Sequence, residues 1–331
     1  MRKSSSGHAN TGRMFFESAS FQKLYNFEPF ALTHNLASLD LFTPDSLAAL
    51  ADKFANAPRD FFIAASAPTP GTDFYSVPRV GRTPREALEE IDKINCRVLL
   101  KRPEKYDPRF RELLDFLFQQ VLELRADLRR ERIERLEGAV IVSSGATTTP
   151  IHFDPVVGFF AQIEGEKFYH VYPPACVLES ELERFYIRGR YDIGNVNFAN
   201  LDASRDHLFR LDPGKGLHQP HNAPHWVQTG ASRSVSYTFV YQTGSSQALA
   251  RTRAFNHCLR ELGIAPSRPS IHRGADAAKA LTMRAAVPLH LAVRLIHRLR
   301  RYAAQHPANG VLPKIRRFVS SRRRSGFGVR T

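Results

Sequence analysis

The chain has 331 residues, 43% of them hydrophobic and 11% aromatic, with 24 Phe against a single Trp. This excludes a disordered chain and fits one core domain carrying extensions. Net charge is +15, yet residues 251–331 hold 18 Lys and Arg against only Glu261 and Asp276, leaving 29 basic and 30 acidic residues in the first 250. Any partner implied by the charge therefore meets the tail and not the neutral body.

Cys96, Cys176 and Cys258 are few, far apart and odd in number, which excludes a disulfide framework and a CxxC zinc site. The opening MRKSSSGHANTGRMFF has no apolar stretch after its basic residues, and no run of about 18 apolar residues follows anywhere. A cytoplasmic protein is expected.

Residues 1–20 are polar and Ser/Gly-rich and read as a flexible N-terminus. From 21 to 137 a mostly helical region is expected. Thr43-Pro44 opens one helix, with Thr as N-cap and Pro at the first helical position. Thr83-Pro84-Arg85-Glu86 opens a second with a capping box. Between them, 57–82 reads as loops and short strands. Phe110, Leu113, Leu114, Leu117, Val121, Leu124 and Leu128 recur at three- and four-residue spacings and predict a helix over 107–132.

The pattern changes at Gly138. Residues 139–142, 157–163 and 167–172 read as strands, the last two joined by a tight turn at Glu164-Gly165. A short strand begins at Leu217 and a longer one covers 234–241. Short strands broken by Pro and Gly over 138–245 indicate a sandwich or barrel. From 246 to 331 a basic helical extension is expected, with an amphipathic helix at 289–301 and a disordered end over 314–331.

His152-Phe153-Asp154 is the informative stretch. Residues i and i+2 of a strand share a side, so an imidazole and a carboxylate reach one point. With a second His they make the two-histidine, one-carboxylate set that leaves coordination positions open on Fe(II). An isolated H-x-D is common by chance, with a strand-end His and a turn Asp as the plain alternative. Residues 212–230, DPGKGLHQPHNAPHWVQTG, supply His218, His221 and His225 as candidate third ligands. His225 is preferred because it opens an apolar strand between Pro224 and Trp226. His218 is the strongest competitor, and His221 reads as an exposed loop residue. Lys167, if it points inward, needs an anionic partner, whereas on composition alone it is a surface lysine beside Glu166.

TPIHFDPVVGFFAQIEGEKFYHVYPP resembles the corresponding segment of the JmjC-type, cupin-like 2-oxoglutarate oxygenases, and most closely the group containing the asparaginyl hydroxylase of hypoxia-inducible factor. The matching positions are Thr149, Pro150, His152 and Asp154, then 159–163, Gly165 and Lys167, then Pro173 and Pro174. VNFANLD at 195–201 and the stretch ending at His225 resemble segments that follow in the family. The resemblance implies a mainly β fold: a double-stranded β-helix (jelly-roll, cupin/JmjC) over 138–245, with α-helical segments at both ends. It implies Fe(II) on His152, Asp154 and His225, and 2-oxoglutarate held by Lys167, with the Thr149 hydroxyl assisting and Thr238 close to the co-substrate. The activity implied is hydroxylation coupled to oxidative decarboxylation of 2-oxoglutarate, on a protein side chain or a small molecule. Lys215, Gly158 and Trp226 depart from the family pattern without removing a ligand.

Two other readings stand beside this one: a metal-binding cupin-like scaffold without turnover, and an oxygenase acting on nucleic acid or a nucleic-acid-bound protein. The basic tail fits a phosphate backbone, an anionic membrane surface, or packing on the barrel or a second subunit. A homodimer through the C-terminal helices follows family habit.

Overall fold

In a computed structural model, residues 12–188, 193–284 and 286 are described. The N-terminal region contains β1 (Met14–Phe15), α1 (Ser18–Leu24), β2 (Phe30–His34), α2 (Pro44–Lys53), β3 (Phe61–Ala65), α3 (Pro84–Glu89), β4 (Cys96–Lys101) and α4 (Pro108–Leu124). Then come β5 (Ile133–Ser143), β6 (Thr148–Phe153), β7 (Val157–Glu164), β8 (Lys167–Val171), α5 (Glu179–Tyr186), β9 (Gly194–Asn195), β10 (His207–Leu211), β11 (Lys215–Gln219), β12 (Pro224–Thr229), β13 (Ser234–Thr243) and α6 (Gly244–Glu261).

Two antiparallel sheets face each other. One runs β1-β2-β11-β7-β13-β5-β4-β3 and the other β10-β8-β12-β6-β9. Within them, β5-β13-β7-β11 opposes β6-β12-β8-β10, so the first strand pairs with the last and the second with the next-to-last. That nesting is the double-stranded β-helix, the jelly-roll solution to the edge problem. The tight turn expected at Glu164-Gly165 is present, but β7 and β8 belong to opposite sheets instead of pairing as a hairpin. Gly165 sits at φ +70°, and an added Cβ would lie 2.2 Å from the Arg233 carbonyl oxygen.

The main core lies outside the barrel, between the larger sheet and the N-terminal helices. Phe159, Tyr237, Phe239 and Tyr241 project from that sheet onto Phe110, Leu114, Leu117 and Val121 of α4. The helix starts as expected: the Asp107 carboxylate accepts from the Arg109 amide and Pro108 occupies the first turn. It stops at Leu124, short of Arg132, because Arg125 leaves helical dihedrals (φ −127°, ψ 73°) and forks onto Asp127 two residues on. Leu128 reaches the core from a 3-10 turn instead.

Three expectations need correction. Residues 14–20 are not loose: Met14 is buried and pairs with His34, and α1 begins at Ser18. The 21–137 region is mixed rather than mostly helical, because β2, β3 and β4 widen the larger sheet. Burial alternates residue by residue along β2 and β4, as one buried sheet face requires. The barrel opens at Ile133, ahead of Gly138. On the C-terminal side, α6 packs on α5 around Ala250, Ala254 and Phe185, with Arg253 paired to Glu179 and Arg260 to the fully buried Glu183. Helical turns at 273–284 add Met283 to this cluster. The helix expected at 289–301 and the end at 314–331 lie outside the described residues.

Candidate metal centre

His152 on β6 stands directly opposite His225 on β12, with ring centroids 4.1 Å apart. The ladder between these strands is irregular. Val227 pairs with Thr149, so Pro150 and Ile151 together face Trp226 alone. This bulge lets Thr149 and His152, three residues apart, both turn to the barrel interior. Asp154 follows just past the strand end, where its carbonyl accepts from the Asn222 amide in the loop leading to His225. His152 and Asp154 thus converge as expected, with Asp154 one residue past the strand end.

Ligand atoms of His152, Asp154 and His225 lie within 4.8 Å of one another, and no other such group occurs among the described residues. His225 Nε2 is 3.7 Å from Asp154 Oδ2. His152 Nδ1 is 2.8 Å from the Pro150 carbonyl and His225 Nδ1 is 3.1 Å from that of Ala223. A carbonyl only accepts, so each Nδ1 carries the proton and each Nε2 keeps a lone pair for a metal. Burial pushes both pKa values down, aided at His152 by the neighbouring His225, while Asp154 opposes the shift at His225. Two neutral imidazoles and one carboxylate converging on a point fit a divalent transition metal. Phe74 lies over His152 and Tyr169 stacks on His225, so aromatic rings wall the centre.

The competing histidines are elsewhere. His218 is sandwiched by Tyr25, Phe30 and Phe159, accepting from the Asn26 amide at 3.0 Å. His221 is buried and contacts the Asn222 side chain.

Lys167 points inward and is buried, its Nζ donating to Ser143 Oγ at 3.2 Å. Burial first, then the charge of Arg97, brings its pKa down to about 7. Thr149 Oγ1 accepts from Arg97 Nη1 at 3.1 Å. Thr238 lies between the outward Tyr237 and Phe239 on β13, and its hydroxyl donates to the Phe159 carbonyl at 3.0 Å. Thr238 is thus committed to its own sheet. Arg97 escaped the sequence reading. It alternates with the outward Cys96 and Val98 on β4, and burial lowers its pKa to about 10 against the opposing charges of Asp154 and Tyr169. A single Arg inside an apolar alternating run was the available signal.

No protein-family model and no curated protein matches the chain. Among solved structures it is similar to YcfD of Escherichia coli, at 18% identity over 82% of this chain and 68% of that one, with a TM-score of 0.48. The same protein, described as a ribosomal oxygenase in complex with cobalt and 2-oxoglutarate, matches at 17% identity over 82% and 67%, again with a TM-score of 0.48. Nothing in these likenesses bears on the asparaginyl-hydroxylase group. The chain's own strand order makes it a double-stranded β-helix, with two histidines and one carboxylate converging inside the barrel.

Proposed function

We propose that the protein is an Fe(II)- and 2-oxoglutarate-dependent oxygenase that hydroxylates a protein side chain or a small molecule. The observation that carries this is the pairing of the triad with Lys167, a buried amine in the same barrel with no carboxylate against it among the described residues. The family motif that joins these residues in sequence supports the same reading.

Bound Fe(II) with its 2-oxo acid would supply the O₂ chemistry. The protein's own groups bind and orient. His152, Asp154 and His225 occupy one face and leave the remaining positions open. Lys167 offers an ammonium to the far carboxylate, with Thr149 beside it. Tyr169, whose hydroxyl donates to Gln219 Oε1 at 2.8 Å, and Phe74 keep water off the centre. Thr238 faces the barrel side of β13 but spends its hydroxyl proton on the Phe159 carbonyl.

The charge of residues 251–331 supports a substrate presented on an anionic partner such as nucleic acid. Cys96, Cys176 and Cys258 are free thiols, which suits a cytoplasmic setting. Among the described residues no helix is long and apolar enough to cross a membrane.

Anaerobic calorimetry with Fe(II) and then 2-oxoglutarate tests the assignment. His152→Ala and His225→Ala are expected to lower metal affinity more than the 10–100-fold typical of an outer-shell partner. His218→Ala is expected to keep metal binding. Lys167→Ala is expected to bind metal and lose 2-oxoglutarate. Tight metal binding by the wild type with no affinity for 2-oxoglutarate would favour the scaffold reading.

A further inference from the structure

We propose that Arg97 is a second cationic anchor for the co-substrate, closing with Lys167, Ser143 and Thr149 around a single carboxylate. The inference rests on the oxygenase reading above and extends it to a residue outside the family motif.

The argument is one of register. In the β4–β5 ladder Arg97 stands directly opposite Ser143, so their side chains leave the sheet on the same face. Ser143 Oγ accepts from Lys167 Nζ at 3.2 Å. Arg97 Nη1 reaches Thr149 Oγ1 at 3.1 Å. One serine thus stands opposite Arg97 in the ladder and accepts from Lys167, while the guanidinium reaches the threonine. Two cations and two hydroxyls match the roughly four lone-pair sites of one carboxylate.

Charge supports the same assignment. Neither Arg97 nor Lys167 forms an ion pair among the described residues. Asp154 is the one carboxylate whose charge acts on Arg97, and it belongs to the metal set. No carboxylate acts on Lys167, whereas Arg97 does. Two mutually repelling cations, Lys167 buried and Arg97 part-buried, favour an anion between them. Arg97 is meanwhile held by ring faces, with Cζ 5.6 Å from the centroid of Phe74 and 6.0 Å from that of Phe62. Apart from Nη1, which donates to Thr149, its donors stay available for a ligand. The ligand class is an α,ω-dicarboxylate, one end at the metal and the other in this clamp. The clamp needs no metal.

Calorimetric titration of the full chain tests this with glutarate on metal-free protein and with 2-oxoglutarate on anaerobic Co(II)-loaded protein. Wild type is expected to bind both. R97Q should weaken both by about 10- to 100-fold, the loss of a charged hydrogen-bonded pair. R97K should fall between, since it keeps the charge and loses the fork. Melting temperature and Co(II) affinity of each variant report whether the fold and triad persist. Co(II) binding should be no weaker in R97Q, because a cation beside Asp154 opposes the metal. Unchanged glutarate and 2-oxoglutarate affinity in R97Q, with Lys167→Met defective, would overturn the role of Arg97 alone. Absence of wild-type binding in both titrations would overturn the oxygenase reading with it.

Discussion

Each imidazole of the triad spends its Nδ1 proton on a carbonyl two residues away, so the chain settles the tautomer before any metal arrives. Two further buried histidines, His218 and His34, are used up structurally. His218 donates from Nδ1 to the Gly158 carbonyl and accepts at Nε2 from Asn26. His34 donates from Nε2 to the Lys215 carbonyl and accepts at Nδ1 from Leu36. In both, a proton would remove the acceptor, and burial lowers the pKa to about 3 for His218 and about 4 for His34. The unfolded pKa of about 6.5 lies above both values, so the unfolded chain takes up protons first. The stabilisation is complete above about pH 6.5 and is lost as pH falls toward 4 and 3. Urea midpoints of the full chain should drop across that window, and less steeply in His218→Phe than in wild type. A midpoint flat from pH 7 to 4 would contradict this.

At the level of elements, the barrel depends on turns that set which sheet a strand joins. Gly165 carries β7 out of one sheet and β8 into the other, at a φ that side chains rarely adopt and against the Arg233 carbonyl. Gly165→Ala is expected to cost at least about 1–2 kcal/mol from the left-handed conformation alone, measurable as a lowered melting temperature. An unchanged melting temperature would show that the turn relaxes freely.

The same scale explains what was readable. The start of α4 was visible because its N-cap, Pro and apolar spacing agree, and 107–132 failed only where Arg125 turns onto Asp127. The barrel strands were visible as apolar runs bounded by Pro and Gly. The strands β2 and β4 were hidden inside a region dominated by strong helix starts, although Phe30, Leu32 and His34 alternate strictly in burial. For the site, His152 and Asp154 were candidates by type and spacing, and His225 was favoured as third ligand over His218 and His221 by its place between Pro224 and Trp226 and by the family resemblance. Arg97 was not legible, because its partners Ser143 and Thr149 lie far along the chain and only the register of β4 on β5 brings them together.

Across the whole molecule, the sequence separates two jobs. A neutral body carries a jelly-roll whose outer sheet face is sealed by the N-terminal helices and whose interior holds ionisable groups. A strongly basic C-terminal quarter follows, joined to the barrel through the α5–α6 ion pairs. The interior combines three side chains that could hold a metal with two cations that form no ion pair among the described residues, an arrangement that a metal and a dicarboxylate together would complete. The most direct test of that account is O₂-dependent release of succinate from 2-oxoglutarate by the full chain with Fe(II), with His225→Ala and Lys167→Ala alongside. Succinate from the wild type that falls to background in both variants is the predicted result. Absence of succinate from a wild type that binds Fe(II) tightly, or release that persists in Lys167→Ala, would contradict it.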